Sequence, residues 1–341
     1  MVTSTRTRAI EDGQPTERRS FLQSRDVHDL LDLYGALPES VCLRYDASWQ
    51  FFHARDVDGG AAYIESHGNA LVWCDPLCAP ADRTVLLAEL TQELRQRKLR
   101  VCLLIVSKPV AEAAKENGYG VLKIGEQPVF DLARWTVPRG DRGKHLRWCL
   151  NCGARASLAA SELLGDQERG QLVEVIAAWE SGLARPVSRS FLRTDPLAER
   201  EHKRIFVTRR GTSIEAFLSC ARVDGGRGWF LEDLVRRPAA PVGATELAVV
   251  EALAQLGRSG ADWAALDIAP LRGSADQLDR RARRLMHAAR PALDHFDTRY
   301  HFRARSQYAA KFAPSEWRPR YVALLPSLPS LGLIRAVRAT L

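Results

Sequence analysis

Two charged residues lie at the end of an apolar segment, where they could take part in chemistry. Residues Trp229–Val235 are mostly apolar, which predicts a buried strand, and Asp233 and Arg236 lie at its end. Gly243 and Thr245 then open a segment with apolar residues at a helical period. A strand that leads through a loop to a helix N-terminus leaves backbone N–H groups free to bind an anion. The alternative is a surface loop with an ion pair, and this stretch alone does not decide between them.

The length and composition are those of a globular protein with two domains. The chain has 341 residues, of which 46% are hydrophobic and 26% charged. No apolar run approaches the roughly 18 residues of a transmembrane helix. Residues 1–25 are polar and basic, lack the apolar core of a secretory signal, and are predicted to form a disordered leader. We expect a cytoplasmic protein, with peripheral contact to the inner face of the cell membrane as an open alternative.

The net charge of +8 favours partners that carry phosphate. Nucleic acid, anionic lipid headgroups and a nucleotide cofactor all fit, and charge alone does not choose among them. The most basic stretch is residues 139–155. It is either a solvated helix face or a phosphate-binding surface in which Trp148 packs inward.

The cysteines do not predict a metal site. There are seven of them, and an odd number scattered through apolar segments is typical of reduced cytosolic thiols. Cys149 and Cys152 form a single Cys-x-x-Cys pair, without a second pair or histidines at zinc spacing.

The predicted elements form two similar halves, residues 26–160 and 161–325, followed by an amphipathic segment at 326–341. Each half has a run of strands and then alternating helices and strands. This order predicts a mixed α/β (α+β) fold with largely antiparallel sheets and flanking helices. The final segment would pack on its own domain or lie on an anionic membrane.

Individual segments give more specific predictions. Val41–Tyr45, Gly120–Ile124 and Val129–Leu132 are each predicted to be a strand, and Ser274–Ala289 a basic helix.

Short motifs occur along the chain in a fixed order. They are Asp75-Pro76; Lys123-Ile124-Gly125-Glu126; Arg147 with Asn151 and Gly153; Asp233-Leu234-Val235-Arg236; Pro241-Val242-Gly243-Ala244-Thr245-Glu246; and Lys311-Phe312-Ala313-Pro314 followed by Trp317-Arg318-Pro319-Arg320-Tyr321. As an ordered set, over residues 30–325, they resemble the catalytic domain of the aminoacyl-phosphatidylglycerol synthases, the family of phosphatidylglycerol lysyltransferase. That domain consists of two GNAT-like acyltransferase halves, so the resemblance implies the same fold here.

The resemblance implies transfer of an aminoacyl group from aminoacyl-tRNA to a hydroxyl of an anionic phospholipid such as phosphatidylglycerol, with no cofactor and no DNA partner. Asp233 would contact the aminoacyl ammonium or the attacking hydroxyl. Arg236 and Lys311 would bind phosphate or stabilise the developing oxyanion. The implied substrate-binding residues are Glu126, Gly243, Glu246, Arg320 and Arg147.

Several of these roles have alternatives. Glu126 is either a second carboxylate in the site or a structural partner of Lys123. Glu246 would act on the helix dipole only, if it does not bind substrate. Arg320 would bind phosphate or orient Asp233.

Two other functions also fit the sequence. The first is a GNAT-type transferase with a soluble small-molecule or peptide acceptor, using an aminoacyl-tRNA or acyl-CoA donor. Ala240, three residues before Gly243, stands where acetyl-CoA enzymes have a basic residue or glutamine, which disfavours an ordinary acetyl-CoA enzyme. The membrane flippase region of full-length family members is not found in this sequence, which keeps a soluble acceptor open. The second is a non-catalytic phosphate-binding module.

Overall fold

The computed structural model describes residues 26–45, 48–165, 168–182, 197–198, 200–273, 302–327 and 330–340. The predicted leader and the predicted helix Ser274–Ala289 lie outside these ranges. The helices within them are α1 (Val27–Tyr34), α2 (Arg83–Gln96), α3 (Lys108–Glu116), α4 (Lys144–Arg155), α5 (Arg169–Ser181), α6 (Ala244–Arg258), α7 (Phe302–Ala310) and α8 (Leu331–Thr340), and a 3-10 helix spans Pro38–Arg44.

All of the described strands belong to one sheet. They are β1 (Gln50–His53), β2 (Gly59–Ser66), β3 (Asn69–Trp73), β4 (Leu77–Cys78), β5 (Arg100–Val106), β6 (Gly120–Asp131), β7 (Leu158–Leu163), β8 (Lys203–Arg210), β9 (Ser213–Val223), β10 (Gly228–Arg236), β11 (Trp263–Ala265), β12 (Ala269–Pro270) and β13 (Glu316–Leu325). The main path runs β1-β2-β3-β5-β13-β6-β11-β10-β9-β8-β7, with β4 paired to β2 and β12 to β6. The predicted α/β fold, mixed and largely antiparallel with flanking helices, is confirmed.

Strand β13 joins the two parts of the sheet. It runs antiparallel to both β5 and β6 and lies between them, although nearly two hundred residues separate it from β6 in sequence. On its opposite edge, strand β6 pairs with β11. The boundary expected at residue 160 falls inside β7.

Two large apolar cores flank the sheet. In the first, α2 and α3 cover β2, β3, β5 and β13, and the leucines at the helical period of α2 (Leu86, Leu87, Leu90 and Leu94) are fully buried. In the second, α6 and α7 cover β6 and β8 to β11. Each buried leucine contributes about 1.5–3 kcal/mol to folding, so these faces fix the helices on the sheet.

Helix α8 packs on its own domain. Ala336 is fully buried against Leu71 of β3 and Cys102 of β5. Of the two alternatives for the final segment, packing is the one observed. None of the helices in the described ranges has the length and hydrophobicity needed to span a bilayer.

The structure differs from the local predictions at three places. Val41–Tyr45 is not a strand, because Pro38 starts a 3-10 helix whose apolar residues are buried on both sides. Gly120–Ile124 and Val129–Leu132 are extended as predicted, but no break separates them: both belong to the single strand β6, which ends at Asp131. Of the two alternatives for residues 139–155, the one in which Trp148 packs inward is not observed, because Trp148 is 52% exposed.

Candidate active site

A cleft opens where β10 separates from β11. Strand β10 pairs with β9 along its length but with β11 only over Gly228–Phe230. Beyond Phe230, within the described chain, β10 is therefore paired on its β9 side alone. The resulting cleft has a volume of about 440 Å³ and is lined by Trp179, Gly182, Leu234, Arg236, Pro238, Thr245 and Tyr308.

A β-bulge directs Asp233 away from helix α6. The register shifts between Leu231 and Asp233, with Glu232 as the extra residue. Leu231 packs in the core under α6, so on a regular strand Asp233 would lie on that face as well. After the bulge Asp233 shares its face with Val235, which packs against α5, whereas Arg236 lies on the α6 face. The two predicted catalytic residues thus lie on opposite faces of β10, and of the two only Arg236 is among the residues that line the cleft.

The face of β10 that carries Asp233 holds a buried charged pair and a tyrosine. Nζ of Lys203, fully buried, lies 2.9 Å from Oε2 of Glu232 and 4.2 Å from the ring centre of Tyr45. Burial raises the pKa of the Tyr45 hydroxyl, and the negative charges of Glu232 and Asp233 raise it further. The phenol is buried and has no hydrogen-bond partner within the described residues. Tyr45 is therefore a neutral donor close to Asp233.

The other face carries an ion pair at the start of α6. Lys311 donates to Oε1 of Glu246, and their side chains are only 10% and 9% exposed. The Thr245 hydroxyl donates to Oε2 of Glu246 at 3.0 Å. Burial alone would raise the pKa of the Glu246 carboxyl, but the hydrogen bond and charge of Lys311 outweigh it and lower the pKa. Glu246 therefore stays ionised beside Lys311.

Tyr308 is a cleft residue that the sequence reasoning missed. Its ring lies 3.9 Å from Nζ of Lys311, and burial raises the pKa of its hydroxyl. The charges of Glu246 and Arg236 also act on this hydroxyl, which places both near it. Its oxygen lies near Thr245 without completing a hydrogen bond, and it has no partner in the described ranges. The signal in the sequence was its position one helical turn before Lys311.

The remaining predicted residues are held in contacts with neighbouring parts of the fold, and none of them is among the residues that line the cleft. Oε1 of Glu126 lies 2.7 Å from Nζ of Lys123, and its Oε2 lies 3.1 Å from Nε of Arg272. The contact with Lys123 is the one expected of a structural partner, and a role in substrate binding stays a prediction. Arg147 donates to the carbonyl oxygens of Pro138 and Gly140 at 2.6 and 2.8 Å, so it secures the loop before α4. Arg320 is 3% exposed and donates to the side-chain oxygen of Gln127 in the seam between β6 and β13.

The sequence of this scaffold matches a known family. Residues 41–324 match the family described as "Phosphatidylglycerol lysyltransferase, C-terminal". The chain belongs to this family. Its members are transferases by that description, and the resemblance seen in the short motifs is confirmed.

Solved structures show the same fold. The C-terminal domain (DUF2156) of an Agrobacterium fabrum protein assigned as lysylphosphatidylglycerol synthetase superposes with a TM-score of 0.72 at 18% identity, over 91% of this chain and 93% of that one. L-PGS from Bacillus licheniformis gives 0.73 at 18% identity, over 92% and 94%. A conserved protein of unknown function from Bacteroides thetaiotaomicron gives 0.55 at 12% identity, over 87% and 90%. Comparison with curated proteins finds no match.

In this member of the lysyltransferase family, Gly243 provides close packing. Its φ is +98°, and an added Cβ would lie 2.3 Å from the carbonyl oxygen of Cys149 and 3.0 Å from the backbone nitrogen of Gly153. Helix α4 therefore rests directly on the start of α6. A role of Gly243 in substrate binding stays a prediction.

Gly243→Ala is expected to lower the free energy of unfolding by about 2–5 kcal/mol, because it adds left-handed strain and a clash with α4. Gly260→Ala is the matched control, since Gly260 has φ +86° but open space around the added Cβ. Denaturant unfolding of both variants measures the difference. Equal losses would show that the contact with Cys149 contributes nothing.

A buried polar network lies in the seam between β6 and β13. Nε2 of Gln127 donates to Oε1 of Glu39 at 2.7 Å, and Arg320 donates to Oε1 of the same glutamine side chain. Burial raises the pKa of the Glu39 carboxyl to about 7, against the opposing charge of Arg320. The folded protein thus binds a proton at Glu39 more tightly than the unfolded chain does.

This shift predicts a pH dependence of stability. Because the pKa of Glu39 is higher in the folded state, its contribution is fully present below pH 4.5 and is lost as the pH rises through about 7. The loss should be on the order of 3 kcal/mol. Glu39→Gln should remove this decline, so its unfolding free energy should stay flatter than that of the wild type in urea titrations from pH 5 to 8. If the unfolding free energies of the two proteins fall in parallel with pH, groups other than Glu39 cause the decline.

Proposed function

We propose that this chain transfers an aminoacyl group from aminoacyl-tRNA to the hydroxyl of an anionic phospholipid. The observation that carries the proposal is the arrangement at the splayed end of β10. Arg236 lines a cleft there, and the buried Lys311–Glu246 pair contacts Tyr308, which lines it too. Arg236, Glu246 and Lys311 belong to the short motifs that resemble those of the family.

The reaction is an exchange of esters and needs no further reactant. The lipid hydroxyl oxygen forms a bond with the carbonyl carbon of the aminoacyl ester, and the bond from that carbon to the 3′-terminal ribose oxygen of the tRNA breaks. The proton of the attacking hydroxyl passes to a base and then to the departing ribose oxygen. Since the donor ester is already activated, the protein has to position both substrates, move one proton and stabilise one oxyanion.

The residues around the cleft suit these tasks. The carboxylate of Asp233 would accept the proton or bind the aminoacyl ammonium, with the neutral Tyr45 hydroxyl beside it. Arg236 and Lys311 would stabilise the oxyanion or bind phosphate. The unpartnered hydroxyl of Tyr308 would donate a hydrogen bond to the substrate, which would satisfy a group that otherwise costs stability. At about 440 Å³ the cleft fits an aminoacyl group, so the tRNA body and the lipid chains would bind outside it.

A transfer assay tests the proposal. The protein is incubated with total tRNA, synthetases and radiolabelled amino acids, with and without liposomes that contain phosphatidylglycerol, and the lipids are extracted. Label in the lipid fraction that disappears after RNase treatment supports the proposal and identifies the amino acid. No lipid label, with the aminoacyl-tRNA intact, contradicts a lipid acceptor. Label in a soluble product would favour a soluble acceptor instead. The same reaction implies a cytoplasmic location, next to the inner face of the membrane.

A further inference from the structure

Helix α4 exposes one face that the site does not use. Its buried residues are Leu146, Cys149 and Gly153. Its exposed face carries Lys144, His145, Trp148, Asn151 and Arg155. Trp148 is 52% exposed and stacks on His145, with ring centres 5.7 Å apart and planes 22° from parallel. The pair therefore presents a flat aromatic surface to solvent, on which another planar group could stack.

The surroundings of this aromatic pair are strongly basic. From Arg142 to Arg155 the sequence contains no aspartate or glutamate. Arg139, Arg142, Lys144 and Arg155 are all exposed, and none has an acidic partner in the described part of the chain. Arg147 instead holds the preceding loop. The exposed positive charges are therefore available to a ligand.

The inner face of the same helix borders the candidate active site. The Cys149 carbonyl abuts Gly243, and an added Cβ at Gly153 would lie 2.8 Å from the side chain of Leu247. The charges of Glu246 and Lys311 both act on the Cys149 thiol. A helix with its side chains is about 10 Å across, so the basic face lies roughly one helix diameter from the Lys311–Glu246 pair.

Phosphates and exposed bases together match this surface better than a bilayer does. A helix face that inserts into a membrane presents several apolar side chains, whereas Trp148 is the single large apolar residue exposed on α4. Single-stranded nucleic acid binds through basic residues along its backbone and through aromatic rings on which bases stack. The combination of four exposed cations with the Trp148–His145 stack is of this second kind.

We propose that the exposed face of α4 binds the acceptor arm of the aminoacyl-tRNA, with a base of the single-stranded 3′ end on Trp148. This rests on the proposed function and adds the location of the RNA. The terminal aminoacyl group would then pass around α4 into the cleft beside Lys311. The phosphates would lie along Lys144 and Arg155, one on each side of the tryptophan.

Binding of fluorescently labelled tRNA to the full chain at several salt concentrations tests this proposal. Trp148→Ala is expected to weaken binding about 5- to 100-fold, the equivalent of one lost stacking contact. Lys144→Ser/Arg155→Ser should weaken it and reduce the slope of log affinity against log salt by about 1.5–2. The control Arg95→Ser/Lys115→Ser removes the same charge from exposed positions on α2 and α3 and should leave both quantities unchanged.

Transfer kinetics separate this inference from the proposed function. If the tRNA binds on α4, the α4 variants should raise KM for aminoacyl-tRNA and leave kcat near the wild-type value. If the wild type transfers aminoacyl groups and the α4 variants match the control, the inference is wrong while the function stands. If the α4 variants keep tRNA affinity but lose binding to vesicles of phosphatidylglycerol, the face is a lipid contact and the inference is also wrong. Absence of transfer by the wild type itself would instead remove the proposed function.

Discussion

Asp233→Asn is expected to slow aminoacyl transfer by about 100- to 10,000-fold, the usual range for loss of a positioned general base. Asparagine keeps the size and much of the hydrogen bonding of aspartate, so the β-bulge and the fold should be retained. Single-turnover rates with thermal unfolding curves measure both effects. Asp224→Asn is the matched control, because Asp224 precedes the other end of β10 and its carboxylate is bound by Arg227 at 2.8 Å. A turnover rate near the wild-type value would remove Asp233 from the mechanism.

The donor can be changed to separate the two roles of Asp233. If its carboxylate binds the aminoacyl ammonium, a tRNA that carries an N-acetylated amino acid has no charge to bind. The wild type and Asp233→Asn should then react with this donor at similar rates. If Asp233 is the base, the ratio of the two rates should persist, since the attacking hydroxyl is unchanged. If the wild type and Asp233→Asn react at equal rates with both donors, both roles of Asp233 are contradicted.

Local patterns in the sequence predict the region of β10 and α6 better than any other part of the fold. The apolar run of β10, the two prolines of the following loop, Pro238 and Pro241, and the left-handed Gly243 mark a strand, a loop and a helix start within a few residues. Each signal acts over a short range, so periodicity and turn chemistry suffice to detect it. This is why the position of Arg236 at the strand end was predicted from local signals, whereas Glu246 was proposed through the resemblance to the family.

Features that depend on distant pairing were not predictable in this way. Strand β13 lies between β5 and β6 because its register with both strands buries Tyr321 and Ala323, and no local pattern encodes that choice. The partner of Glu246 is Lys311, 65 residues further along the chain. Asp233 was predicted to lie where the strand ends, but β10 continues beyond it to Arg236. The face on which Asp233 lies depends on the bulge at Glu232, which shifts the alternation of side chains by one residue.

The two predicted catalytic residues lie on opposite faces of strand β10. The motif residues Asp233 and Arg236 are three positions apart on β10, and strand geometry alone places them on opposite faces. Beyond Phe230, within the described residues, the β11 side of β10 is unpaired, and Arg236 lines the cleft there. A substrate at this edge would meet a carboxylate and a neutral phenol on one side, and cations with a second phenol on the other. This asymmetry fits a reaction in which a proton leaves one oxygen while negative charge develops on another.

Lys311→Met is expected to reduce transfer by about 100- to 1,000-fold, the usual effect of removing one donor that stabilises an oxyanion. It should also destabilise the protein by about 3–5 kcal/mol, because it leaves the carboxylate of Glu246 buried without its counter-charge. A loss of activity in this variant alone would therefore have two explanations.

The double variant Lys311→Met/Glu246→Gln separates these explanations. Neutralising both partners removes the unpaired charge, and the introduced amide keeps an acceptor for the Thr245 hydroxyl, so the unfolding free energy should recover much of the loss. The transfer rate should stay as low as in Lys311→Met, since no cation has been restored beside Tyr308. Recovery of the rate together with the stability would instead show that Lys311 serves only to compensate Glu246 and that Arg236 is the cation that acts in the cleft.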